Sequence, residues 1–156
     1  LLKEKLLSCI ISHQLIKEIE RHLELVYPEE GAGFLLGKLP KSTSRIITKL
    51  ILLENNWDEG PRTNRFLITP QDVLAAEDQA DALGLSLLGV FHSHPDSINI
   101  PSEFDRNWAL PWFSYLISSI HNGKTASHRL WQLSDDRSQF HEQKLLQENS
   151  NLIIAE

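Results

Sequence analysis

The segment HSHPDSINIPSEFD, residues 92–105, holds two histidines one residue apart, Ser102 seven residues later and Asp105 two residues beyond that. On a strand, side chains alternate between faces, so His92 and His94 point one way and Ser93 the other. Two imidazoles that converge without backbone distortion are ligand geometry for a divalent metal. Zinc takes nitrogen and carboxylate ligands near ~2.0–2.2 Å, and its catalytic sites use three protein ligands and keep the fourth position for water. Asp105, one turn into a following helix, completes a candidate set of three.

Each part has a plainer reading when taken alone. Ser102, preceded by Pro101 and followed at the third position by Asp105, reads as a helix cap with a carboxylate in the first turn. A lone His-x-His at a strand end reads as a polar edge, and Glu29-Glu30 after Pro28 reads as a solvated acidic turn. The joint spacing outweighs these separate readings, because the four positions of the segment agree with one pattern at once.

That pattern, His92-x-His94-x7-Ser102-x2-Asp105, resembles without a gap the JAMM motif of the JAB1/MPN/Mov34 metallopeptidase family, H-x-H-x7-S-x2-D. The family also carries a glutamate shortly before a glycine and an apolar strand. EGAGFLLG at 30–37 supplies this, with Glu30 rather than Glu29 in register with Gly33-Phe34, and with Ala32 in place of the family's frequent, non-ligating cysteine. YPEEGAGFLLGK, NRFLITP and LSLLGVFHSHPD are similar to the compact prokaryotic members, so the resemblance covers roughly residues 10–145.

The resemblance implies a JAB1/MPN (cytidine deaminase-like) α/β fold and one Zn2+ held by His92, His94 and Asp105. It further implies water whose pKa the metal lowers toward ~7, Glu30 as general base and Ser102 as donor to the oxyanion. The implied reaction is hydrolysis of peptide or isopeptide bonds at the C-terminus of ubiquitin-like or sulfur-carrier proteins. Their Gly-Gly tail would lie extended, by main-chain pairing with a strand. About twenty residues separate Asp105 from SHRLWQL, too few for the insertions with which larger relatives select polyubiquitin linkages. Two alternatives stand beside this reading: a non-catalytic MPN scaffold that serves assembly, and hydrolysis of a small amide by the same site.

The elements that must position these residues follow from periodicity and caps. Ser12 precedes Leu15, Ile16, Ile19, Leu23 and Val26 at helical spacing, predicting a helix near 13–26 that Pro28 ends. GFLLGK at 33–38 and SRIITKLILLEN at 44–55 are predicted as paired strands joined by a turn containing Pro40, and RFLI at 65–68 as a short strand. Thr69-Pro70 opens a second helix to about Leu83, with Gly84 as its stop. LSLLGVFHSH at 85–94 reads as a strand buried on both faces. After a helix from Ser102, FSYLISSI, SHRLWQL and QFHEQKLL read as three more strands, giving a mixed sheet flanked by helices.

The 156 residues fit one domain, taken as 1–156, with no repeat or linker to divide it. A formal charge of -6 and a pI near 5.6 count against a phosphate-tracking nucleic-acid surface. One cysteine, Cys9, provides neither an internal disulfide nor the P-C-x-x-C of zinc deaminases, and a reducing cytoplasm is expected. No window approaches the ~20 apolar residues of a membrane span, so no membrane partner is expected. The chain begins at Leu1 and holds no Met, which leaves a longer native N-terminus open, and nothing in it fixes an oligomeric state. His13, His22, His121, His128 and His141 are read as surface or packing residues, and Trp57, Trp108, Trp112 and Trp131 as core and edge aromatics.

Overall fold

Ser12 starts the first helix as expected: its side chain accepts the Leu15 N–H at 3.2 Å. Helix α1, His13–Val26, then buries Ile16, Ile19 and Leu23 on one face. Thr69 caps α2, Pro70–Ala82, in a reciprocal box with Asp72, and Gly84 turns the chain away at φ 68°. Ser102 and Asp105 form the same box on α3, Glu103–Trp108. The computed structural model describes residues 8–39 and 44–148, so the predicted Pro40 turn lies outside the described residues.

Among the described residues, seven strands surround the core: β1 Ser8–Ser12, β2 Ala32–Lys38, β3 Ser44–Leu53, β4 Ser86–Pro95, β5 Ser114–His121, β6 Lys124–Leu133 and β7 Phe140–Glu148. Their order is β1-β3-β2-β4-β5-β6-β7, and β1 pairs in parallel with both β3 and β7, closing the mixed sheet into a barrel. The expected α/β class is observed. Two details of the expectation change. Strand β1 was not predicted, because its five residues acquire a ladder only from partners far along the chain. RFLI at 65–68 is not a strand; it is an unpaired segment whose Phe66 ring packs on His92 at 4.9 Å.

Strand β4 lies between β2 and β5 and is buried from Leu87 to His94, as its apolar run predicted. One apolar cluster, including Ile19, Leu23, Leu35, Phe91 and Leu116, lies under α1. A second, including Phe34, Ala76, Ala80, Val90 and Ile117, lies under α2. Glycine is required at 33, where a Cβ would run into the Phe91 ring and the Ile51 carbonyl. Trp131 is buried, but Trp108 and Trp112 are 64% and 48% exposed and do not belong to the core.

Candidate active site

Strand β4 delivers His92 and His94 to one face, and α3 delivers Asp105 to meet them. The Nε2 atoms of the two histidines lie 3.3 Å apart. Asp105 places Oδ1 3.3 Å from His92 Nε2 and Oδ2 3.1 Å from His94 Nε2. All three side chains are nearly closed to solvent, with exposures of 2%, 9% and 7%. Three of the sequence-predicted residues are therefore brought together as a group that could hold a metal ion.

The hydrogen bonds around His94 test whether a cation fits. His94 Nδ1 lies 2.8 Å from the Ile98 carbonyl, an oxygen that only accepts, so Nδ1 carries the proton. In the neutral ring, Nε2 then presents a lone pair to the Asp105 carboxylate and to the other imidazole. Such an arrangement of facing acceptors calls for a positive charge between them, and two nitrogens with a carboxylate oxygen suit zinc. The site's own charges agree. Burial alone would raise the Asp105 carboxyl, yet the two histidines and the Ser102 N–H hold it well below the usual carboxylate range. Burial opposes a charged His94, but Asp105 and the Ile98 carbonyl raise its pKa. His92 Nδ1 has no partner among the described residues, and the Phe66 ring holds that imidazole by packing instead.

Glu30 reaches the same face through strand register. Ala32 pairs with His92 across the β2–β4 ladder, and the Ser93 N–H donates to the Gly31 carbonyl at 3.0 Å, which sets Glu30 opposite His94. Directly opposed residues in an antiparallel pair share a face. Glu30 is 6% exposed, and burial pushes its carboxyl up to about 8, with Asp105 adding to the rise and His94 and Arg65 opposing it. A cation beside it would lower that value. Its backbone is fixed on both sides: the Glu30 N–H donates to the Arg62 carbonyl at 2.7 Å, and the Asn55 amide bridges the Glu30 and Arg65 carbonyls at 3.0 and 2.7 Å.

Ser102 is exposed beside the cluster, and its oxygen accepts the Asp105 N–H at 3.0 Å. The bond occupies a lone pair and leaves the hydroxyl proton free to donate. The cap and donor roles expected of this residue are thus compatible. Sequence reading missed the supporting residues. The buried Asn99 side chain donates to Ser127 Oγ at 2.9 Å and its backbone carbonyl accepts the Trp131 indole N–H at 3.0 Å, anchoring the loop whose Ile98 carbonyl orients His94. An asparagine set between two isoleucines, Ile98 and Ile100, was the available signal.

Residues 12–134 match the family model described as prokaryotic homologs of the JAB domain. A Thermus thermophilus protein named "Probable TtuB-protein conjugate cleaving protease" is 33% identical over 101 residues, 63% of this chain and 63% of that protein. A Haloferax volcanii protein named "Desampylase" is 32% identical over 100 residues, 64% of this chain and 68% of that protein. The match to the Thermus relative thus spans under two thirds of its length. A crystal structure of a JAB1/MPN domain protein from Archaeoglobus fulgidus superposes with a TM-score of 0.54 at 20% identity, covering 87% of this chain and 97% of that one, which shows the fold.

Proposed function

The chain belongs to the family of prokaryotic JAB-domain homologues, and from that premise we propose that it is a zinc-dependent peptidase acting on ubiquitin-like or sulfur-carrier proteins. The bond cut is the peptide or isopeptide bond that follows the carrier's C-terminal Gly-Gly. What supports this is the convergence of His92 Nε2, His94 Nε2 and Asp105 within 3.1–3.3 Å of one another on the face that Glu30 shares. The relatives named for cleaving TtuB conjugates and for desampylation point to the same substrate class.

A divalent ion held by these three side chains would supply Lewis acidity, making water a nucleophile near neutral pH and polarising the scissile carbonyl. His94, fixed by the Ile98 carbonyl, and Asp105, fixed by the Ser102 N–H, present their ligand atoms without rearrangement. Glu30 takes the proton from the attacking water and returns it to the leaving amine. The Ser102 hydroxyl donates to the oxygen on which negative charge develops. The extended tail can run along β3, because among the described residues β1 pairs with that edge only from Ser44 to Ile47.

Purified protein is expected to hold about one zinc per chain and to cleave a ubiquitin-like carrier fusion after Gly-Gly. Glu30→Gln should keep the metal and lose at least about 10²-fold in rate. Protein that takes up no metal, and cuts nothing when zinc is supplied, would instead be a scaffold member of the family.

A further inference from the structure

A cavity of about 520 Å3 opens directly beside the metal ligands, and His92 and Asp105 form part of its wall. The size is that of a small-molecule or side-chain pocket. Its lining concentrates the chain's aromatic residues: four of the six phenylalanines, Phe34, Phe66, Phe104 and Phe113, and two of the four tryptophans, Trp57 and Trp108. Two of these rings already stand edge to face, Trp57 and Phe104, 5.6 Å apart at 83°, and Phe104 meets Trp108 at a tilt of 48°.

Apart from His92 Nδ1, the polar side-chain groups within this wall are largely spent. Thr69 Oγ1 accepts the Asp72 N–H at 3.0 Å, and the Tyr115 hydroxyl accepts the Leu110 N–H at 2.6 Å. Asp105 is engaged by both histidines and the Ser102 N–H, and Glu77 stands exposed at the rim. An acidic side chain entering here would lose its hydration and face the Glu77 and Asp105 carboxylates. Glycine would leave the space unfilled. An aromatic ring buries about 150–250 Å2 and meets ring edges and faces at favourable angles.

We propose that this cavity is a specificity pocket for an aromatic side chain of the substrate, carried by a residue that flanks the Gly-Gly unit. The shared wall requires this proximity, since a residue advances only about 3.3 Å along an extended chain. The assignment rests on the peptidase reading above, and it adds a requirement that a Gly-Gly tail alone does not meet.

The test is a set of acetylated peptides X-Gly-Gly-Z with Phe, Leu, Ala or Asp at X or Z, cut by the zinc-loaded protein. Phe should exceed Ala in kcat/KM by about 10–200-fold at one of the two positions, with Asp poorest. Leu74→Glu, which charges the 59% exposed mouth without touching the core, and Val73→Phe, which fills the cavity, should both bring that ratio toward one. Independently of turnover, N-acetyl-L-phenylalaninamide should quench Trp57 and Trp108 fluorescence in the Glu30→Gln protein, and N-acetyl-L-alaninamide should not. A Phe-to-Ala ratio near one at both positions, or an unchanged ratio in both folded variants, overturns the pocket. If the carrier fusion is nevertheless cut, the peptidase reading stands without it. If the phenylalaninamide binds but neither fusion nor peptide is cut, the peptidase reading is the one that fails.

Discussion

Ser102 has two tasks that substitution can separate. Its oxygen caps α3 by accepting the Asp105 N–H, and its proton is the proposed donor to the reacting oxygen. Ser102→Ala should cost about 1 kcal/mol of stability from the lost cap and about 10²–10³ in kcat. Ser102→Asp keeps an acceptor at the cap, so its denaturation midpoint should recover while its kcat does not; recovery of both would remove the donor role. The cluster itself was legible in the sequence, because a His-x-His pair on a strand and a capping box on the next helix are both local patterns. Asn55 and Asn99 were not, since each side chain matters through a partner placed by tertiary structure: Asn55 through the Glu30 carbonyl and Asn99 through Ser127.

Among the elements, the loop from Asp96 to Pro101 carries the support of His94. Ile98 orients the imidazole, and Ser127 and Trp131 hold its neighbour Asn99 in place. Trp131→Phe keeps the ring's bulk and removes its N–H, so the metal-free protein should fold with a nearly unchanged far-UV spectrum. Zinc affinity, read by competition with a chelating dye, should fall by about 10–100-fold; unchanged affinity would show that the loop orients His94 without Trp131. Helix ends were readable because their signals are contiguous, as in Thr69-Pro70 with Asp72. Strand β1 and the segment RFLI were misread for one shared reason: a ladder depends on what lies alongside, and so short a stretch of sequence does not reveal that.

At the scale of the molecule, closure of the barrel buries Arg45 completely. Its guanidinium donates to the Leu88 carbonyl at 2.8 Å, to Ser114 Oγ at 3.0 Å and to the Trp112 carbonyl at 2.5 Å, joining β3 to β4 and to the start of β5. Arg45→Ala would leave a void and three acceptors unpaired, and should lower the unfolding free energy by roughly 3 kcal/mol or more in urea titration. Trp112, exposed and 4.4 Å from that guanidinium, covers this end of the barrel, which accounts for a tryptophan outside the core. At the other end, Asp105 Oδ2 serves both the Ser102 N–H and His94. The same atom thus belongs to the start of a six-residue helix and to the candidate metal site, and that helix carries Phe104 and Trp108 into the cavity wall. So short a helix has little stability of its own, so ion binding should act as a folding ligand for the wall. Amide hydrogen exchange across residues 103–108 should slow when zinc is added, so that on the proposed reading one ion would steady the pocket wall and supply the nucleophile together.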